Sequence, residues 1–204
     1  KKYVEKSHSI ITDLFTGIYY SKITCKDCGN ITGSFESFTM LQLPTKEDGE
    51  TSLDEALNEF TKPEMLTGDN QYNCEECKKK VDAVKEMQIW EPPNIMVVHL
   101  KRFKNDSWRT TKTSSKVVFP IKDMDIKKYL SDLHPVNNTT YDVWAISDHR
   151  GSCNFGHYVA YCKNGINNKW YEFNDSSVVH IPDDDLTKEL ITKNAYILFY
   201  VRNM

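Results

Sequence analysis

The chain has 204 residues and a mass of 23.7 kDa, which is room for one large folded unit or two small ones with a real core. Hydrophobic residues are 39%, aromatics 12% and charged residues 27%, a mixture that excludes collagen-like, prion-like and mucin-like chains. With 26 Lys and Arg against 29 Asp and Glu the formal charge is −3, so the basic surface of a nucleic-acid binder is not expected.

The first residue is Lys1 rather than Met, and the segment is read as an excerpt of something longer. Ile10, Ile11, Leu14 and Phe15 share a helical face that stops at Gly17, predicting a short helix. Ile18 to Thr24 and Ile31 to Leu43 read as two strands flanking a tight turn, the second closed by Pro44. Ser52 and Glu55 form a capping box ahead of Leu53, Ala56, Leu57 and Phe60, predicting a helix that Pro63 ends. Gln71 to Asn73 and the alternating Val81, Ala83, Lys85, Met87 and Ile89 form a second hairpin before Pro92-Pro93. Ile95 to Leu100 is continuous and mostly apolar, predicting a central strand buried on both faces. Its cleanest run, Ile95 to Val98, falls far short of the roughly 20 residues that cross a bilayer, and no membrane partner is expected. Further strands are read at 117–119, 141–147, 157–162, 169–173, 178–181 and 196–201, with a helix from Asp183 to Thr192. Strands without βαβ alternation predict an α+β fold with a mainly antiparallel sheet. The boundaries read from this order are a lead-in at 1–17, a fingers-like extension with an inserted helix at 18–91, and the main sheet at 92–204.

Four of the six cysteines form two C-x-x-C pairs, Cys25/Cys28 and Cys74/Cys77. Two thiolates separated by two residues converge from a tight turn, and two such knuckles supply the four soft ligands of a closed, structural zinc site. The alternatives at this stage are four reduced structural thiols or two disulfides.

Gly156 delivers His157 to the start of an aromatic strand, and a polar loop around Asn164-Gly165 turns the chain back toward Trp170 to Asp175. A turn centred on Gly165-Ile166 places Asn174 directly across from His157, and a one-residue change of register would select Asp175 instead. A carboxamide accepting from one imidazole N–H aims the other nitrogen at a nucleophile, the arrangement Asn serves where that nucleophile is cysteine. Among the other histidines, His99 is read as a satisfied interior group and His149 as a loop contact, while His8, His134 and His180 carry no signal. No nucleophile fits: Cys153 would lie about 13 Å from His157 along an extended chain, and Cys162, an odd number of residues away, faces the other side.

The two knuckles, Val98-His-Leu-Lys-Arg-Phe103, Gly156-His-Tyr-Val-Ala-Tyr161 and Trp170-Tyr-Glu-Phe-Asn-Asp-Ser-Ser177 together resemble the ubiquitin-specific proteases, in matching order from about Ile10 to Tyr200. The resemblance implies the fingers and palm of a papain-like, hand-shaped domain that cleaves peptide or isopeptide bonds after ubiquitin's C-terminal glycine. It implies His157 as general base, Asn174 or Asp175 as its orienting residue, and Cys25, Cys28, Cys74 and Cys77 as zinc ligands. It further implies that Phe103, Tyr158 and the loop from Ser147 to Gly156, His149 included, border the channel for ubiquitin's tail. The partners implied are ubiquitin and ubiquitinated proteins, in an intracellular setting, cytoplasmic or nuclear. The family's nucleophile sits in a Gly-Asn-Thr-Cys type box on a helical thumb ahead of the fingers, and neither box nor thumb is found here. The expectation is a fragment inactive alone, whose thiol comes from the fuller chain or another chain. The competing expectation is a non-catalytic ubiquitin-binding scaffold with a structural zinc site.

Overall fold

The computed structural model describes residues 9–106, 109–134, 136–153 and 155–203; His8, Asn154 and the first part of the 1–17 lead-in lie outside the described residues. A short helix, α1 (Ile10–Phe15), is capped by the Ser9 side chain and leads into β1 (Gly17–Cys25) and β2 (Ile31–Phe38). Then come β3 (Leu41–Pro44), β4 (Glu50–Ser52), α2 (Leu53–Thr61), β5 (Glu64–Leu66), β6 (Tyr72–Cys74), β7 (Lys79–Val81) and β8 (Ala83–Glu91). The second half contains β9 (Ile95–Lys101), β10 (Phe103–Asp106), β11 (Arg109–Lys112), β12 (Lys116–Val118), β13 (Met124–Asp125) and β14 (Thr140–Gly151). It closes with β15 (Gly156–Lys163), β16 (Trp170–Asn174), β17 (Ser177–Ile181), α3 (Leu186–Leu190) and β18 (Ala195–Arg202).

These elements build an α+β fold. The main sheet runs in the order β17-β16-β15-β14-β18-β9-β3 with β13 beside β14, and only its β3–β9 edge is parallel among the described pairings. A second sheet, β2-β1-β8-β5, forms the fingers, and the β6–β7 hairpin joins its tip.

The stretch expected as one strand from Ile31 to Leu43 divides at Thr39-Met40. Phe38 and Leu41 are both buried, at 8% and 0% exposure, and an odd separation cannot put two side chains on one face of one strand. The chain therefore changes sheets: β2 pairs with β1, and β3 passes alongside β9. Residues 41–61 thereby enter the main core, where Leu41, Leu43, Leu53, Ala56 and Leu57 pack with Val98, Leu100 and Ile146. The capping box forms as read, with Glu55 N–H donating to Ser52 Oγ at 3.0 Å and Ser52 N–H donating to Glu55 Oε2 at 3.3 Å.

The strand at Ile95 is not buried on both faces. Met96, Val98 and Leu100 are sealed, while Ile95, Val97 and His99 are only half-buried, so one face seats the core and the other forms part of the floor near the site. The expected helix at Asp183 reduces to a 3-10 turn, Asp183–Asp185, followed by the single turn and a half of α3.

On β3 the burial alternates strictly, with Leu41 and Leu43 inside and Gln42 exposed. Leu43→Ala is expected to cost about 2–5 kcal/mol by urea unfolding, and Gln42→Ala less than about 0.5 kcal/mol; comparable losses would place β3 outside the core.

Candidate active site and cysteine cluster

Two places gather reactive side chains. At the fingers' tip, strand β1 ends in Cys25 and β6 ends in Cys74, and each enters a turn whose fourth residue returns the second cysteine. The Cys28 N–H points at Cys25 Sγ and the Cys77 N–H at Cys74 Sγ, both at 3.5 Å. Gly29 takes the left-handed conformation the first turn requires, φ 72°, and Lys78 takes it in the second at φ 56°, a strained choice for a side chain with a Cβ.

Across the turns, the Cys25 and Cys77 sulfurs lie 3.9 Å apart and those of Cys28 and Cys74 3.7 Å apart; all four fall within 4.8 Å of one another. A tetrahedral ion with bonds of about 2.3 Å has ligand–ligand edges of about 3.8 Å, so the four sulfurs fit a metal ion. Donation from the Cys28 N–H draws the Cys25 thiol down to about 7. Its neighbour Cys77 is pushed up to about 12, first by its hydrogen bonding with the Cys28 thiol and then by burial. One thiolate thus opposes the next, a conflict that a central cation removes. Around them the local apolar cluster is small among the described residues, made of Val81, Tyr72 and the cysteines Cys25, Cys74 and Cys77.

The second place is the open end of the main sheet. His157 is the second residue of β15 and Asn174 ends β16, and His157 Nε2 donates to Asn174 Oδ1 at 2.6 Å. Because the amide oxygen can only accept, Nε2 carries a proton, and in the neutral ring this makes Nδ1 the lone-pair nitrogen.

The register behind this contact differs from the one read from sequence. The ladder pairs Ala160 with Phe173 and Lys163 with Trp170, so the turn centres on Ile166-Asn167 and His157 does not face Asn174 squarely. Asn164 Oδ1 moves the turn by accepting from the N–H groups of Ile166 and Asn167, an Asx turn. The displacement is two residues, and because side chains alternate with period two it leaves both groups on one face, meeting diagonally. Asp175 occupies the left-handed position, φ 50°, of the turn into β17. Its carboxylate stays 4.0 Å from His157 Nε2, beyond a hydrogen bond.

The segment from Ser147 to Gly156 is not a loop over its first half: β14 continues to Gly151. His149 is therefore a buried strand residue, 5% exposed, instead of a loop contact. It lies beneath Gly156, where an added Cβ would come within 2.0 Å of the His149 Nε2, so only glycine lets the two strands close there. Tyr158, 57% exposed, covers His149 at 4.7 Å between ring centroids, and Phe103 approaches it edge-on at 5.3 Å. Phe103, Tyr158, Gly156 and His149 are thus brought together, and Tyr196 joins them, 5.4 Å from Phe103 and 4.8 Å from His99. Nothing in the sequence marked Tyr196 beyond its place at the start of a strand. His99, expected to be satisfied, has a buried Nδ1 with no hydrogen-bond partner, as does His149.

Arg150 was also missed. It pairs with His157 across β14–β15 and reaches Tyr161 Oη at 2.7 Å and Glu172 Oε1 at 3.4 Å, tying β14 to the two strands that carry the pair. Among the described residues no thiol bonds to His157. Cys153 lines a polar cleft with Lys112, Ser152 and Lys193, and Cys162 is half-buried with its thiol pushed up by burial.

The class that fold and site define is an α+β, mainly antiparallel palm that ends in an imidazole–carboxamide pair and carries a four-cysteine finger. The sequence matches the family described as "Ubiquitin carboxyl-terminal hydrolase" over residues 1–200, and the chain belongs to that family. It is 37% identical over 202 residues to "Ubiquitin carboxyl-terminal hydrolase 2" of Rattus norvegicus, covering 98% of this chain and 32% of the relative. The chain thus spans about a third of that relative's length. Among solved structures it is similar to a SAGA DUB module of Ubp8, Sgf11, Sus1 and Sgf73 bound to monoubiquitin, with a TM-score of 0.84, 32% identity, and coverage of 98% of this chain and 43% of that one. It is similar also to the same module bound to ubiquitin aldehyde, with a TM-score of 0.83, 31% identity, and coverage of 98% and 44%.

Burial lowers the pKa of both His99 and His149; the charges of Lys101 and Lys112 respectively add to this, and Asp148 opposes it at His149. A histidine held below its unfolded pKa is neutral when folded and takes up a proton on unfolding, so its penalty to stability grows as pH falls below about 6.5. The urea midpoint is therefore expected to drop between about pH 7 and pH 5, with a shallower drop in His149→Gln; an unchanged slope would remove His149 from the account.

Proposed function

We propose that this chain forms the fingers and palm of a deubiquitinating cysteine protease, which hydrolyses peptide or isopeptide bonds after the C-terminal glycine of ubiquitin. The observation that carries the reading is the 2.6 Å bond from His157 Nε2 to Asn174 Oδ1, made at the open end of the palm in a chain of this family. Similar solved structures bound to monoubiquitin and to ubiquitin aldehyde support the substrate.

In this reading the nucleophilic thiol comes from a segment outside these residues. His157 Nδ1 takes the thiol proton as the sulfur attacks the glycine carbonyl, then protonates the leaving lysine amine. The same nitrogen next removes a proton from the water that cleaves the thioester. Asn174 carries no charge, so it serves the imidazole by fixing its tautomer and direction rather than by stabilising imidazolium. Phe103 and Tyr158 border the path of the substrate's tail, with His149 as the support beneath them. Partners are ubiquitin and ubiquitinated proteins, in an intracellular setting.

The cysteine cluster is assigned to zinc, held by Cys25, Cys28, Cys74 and Cys77. A four-thiolate site is closed and has no position for substrate, so the ion's contribution is to hold the fingers' tip.

Freshly purified protein is expected to contain about one zinc per chain, and Cys28→Ser to lose most of it on mild chelation; well under one equivalent in the unchanged protein would leave reduced thiols as the answer. In the natural full-length protein, hydrolysis of a fluorogenic amide of the ubiquitin C-terminus should fall on the order of 100- to 10,000-fold in His157→Ala. The fall in Asn174→Ala should be on the order of 10- to 100-fold. Turnover unchanged in His157→Ala would take the base away from this residue and favour a ubiquitin-binding scaffold.

A further inference from the structure

The ladder between β14 and β18 ends at Asp148 opposite Ala195, yet β14 runs on to Gly151. The last bond from the β18 side is His149 N–H to Asn194 O at 2.9 Å. The carbonyls of His149 and Gly151, two residues apart, point to the same edge of the strand and would have no strand to bond. Gly151 lies at the exposed end of the strand, while the His149 carbonyl belongs to a buried residue and needs another donor. Lys112 supplies it: Nζ donates to His149 O at 2.5 Å and to Gly151 O at 3.0 Å.

Lys112 is the last residue of β11, and its backbone pairs with Phe103 on β10. Phe103 in turn packs edge-on against the His149 ring. One residue therefore ties the β10–β11 hairpin, by its main chain, to the β14–β15 hairpin, by its ammonium. The second hairpin has little slack. Gly151 sits at φ 107°, Ser152 N–H bonds Phe155 O at 2.8 Å, and Gly156 presses on His149. His157 follows one residue later.

We propose that Lys112 is a positioning residue for the His157–Asn174 pair: by replacing the missing strand at the end of β14, it fixes the turn from which His157 emerges. The inference rests on the deubiquitinating reading for its kinetic consequence, and on geometry alone for its effect on His157. Without the ammonium two carbonyls lose their donor, the turn relaxes, and the imidazole no longer meets Asn174 Oδ1 in a single orientation.

The test uses the natural full-length protein labelled with nitrogen-15 histidine, unchanged and as Lys112→Met, which keeps the apolar stem, and Lys112→Arg, which can still donate to two carbonyls. Thermal unfolding, the nitrogen shifts of the His157 ring (assigned with His157→Gln), and hydrolysis of the fluorogenic ubiquitin amide are measured on each. In the unchanged protein His157 should show a proton held on Nε2. In Lys112→Met that signature should give way to a mixture of tautomers, with kcat lowered on the order of 10- to 100-fold and KM within about threefold. Lys112→Arg should recover most of both. Ring shifts unmoved in Lys112→Met overturn the proposal, and so does a loss of activity that only tracks a loss of folded protein and is not recovered by Arg. A protein that hydrolyses no ubiquitin amide, yet shows the Nε2 signature disappearing in Lys112→Met, retains this inference and loses the deubiquitinating one.

Discussion

The site depends on a bond made where backbone pairing has stopped. Strands β15 and β16 are held by their ladder only as far as Ala160 and Phe173, and His157 lies three residues beyond that point on one strand while Asn174 lies one beyond on the other. Past the last pair, strands diverge with their natural twist, which opens room for a third group to reach the imidazole. The same divergence leaves the two side chains without a backbone clamp. Their mutual alignment therefore falls to side-chain contacts and to the turns at either end, which is why the surrounding residues are so tightly specified: glycine at 156, a short Asp175-Ser176 turn into β17, and Arg150 bridging to Tyr161 and Glu172.

Sequence reading recovered most of this because its strongest signals are periodic. Apolar alternation placed nearly every strand of the main sheet, and the two C-x-x-C pairs located the cysteine cluster before any distance was known. The error in the β15–β16 register did no harm to the site for a specific reason: Asn164 moved the turn by an even displacement, and parity preserves the face. An odd displacement would have brought Asp175 inward and put Asn174 on the wrong side. What stayed hidden was non-periodic. The β10–β11 hairpin is built from polar residues such as Lys104, Thr110 and Thr111, whose pattern announces no buried face, so neither the hairpin nor Lys112 could be found from it. The splitting of β2 from β3 was legible in principle, in the odd interval between Phe38 and Leu41, but a run of strand-forming residues masks such a change of phase.

The two halves are stabilised by different physics. In the palm, α2 and β3 lend buried leucines to a continuous core that extends to Tyr161, Trp170 and Ile181, and hydrophobic burial holds the sheet. At the fingers' tip the apolar cluster is too small to do this, and four sulfurs within 4.8 Å of one another are placed where a metal ion would stand in for a core, as in small metal-bound folds. The long β1–β8 pairing couples these regimes, since it begins in the palm at Ile18 and ends at Cys25 beside Ala83. Rigidity at the tip is thus carried along continuous strands to the palm.

Beneath the site the core turns polar. Arg102 is fully buried, its guanidinium donating to the carbonyls of Ala195 and Ser115, both at 2.6 Å, and burial lowers its pKa to about 10, with Asp148 opposing the shift. Asp148 is itself sealed, bonded to the Thr192 hydroxyl at 2.5 Å. Arg102 Nη2, Ser115 Oγ and the Nδ1 atoms of His99 and His149 are without hydrogen-bond partners, while Asp148 Oδ1 faces Arg150 Nε at 3.5 Å. An apolar floor would be more stable, since each unmet polar atom costs about 1–3 kcal/mol. Arg102 bonds the ends of β18 and the approach to β12, and Lys112 bonds the end of β14; each cation supplies donors to carbonyls at a place where a ladder has terminated. A sheet whose strands part at one end gives up backbone partners there, and long cationic side chains are suited to replacing them because one head group can serve two carbonyls at once. The polar floor is then the structural counterpart of the opening itself.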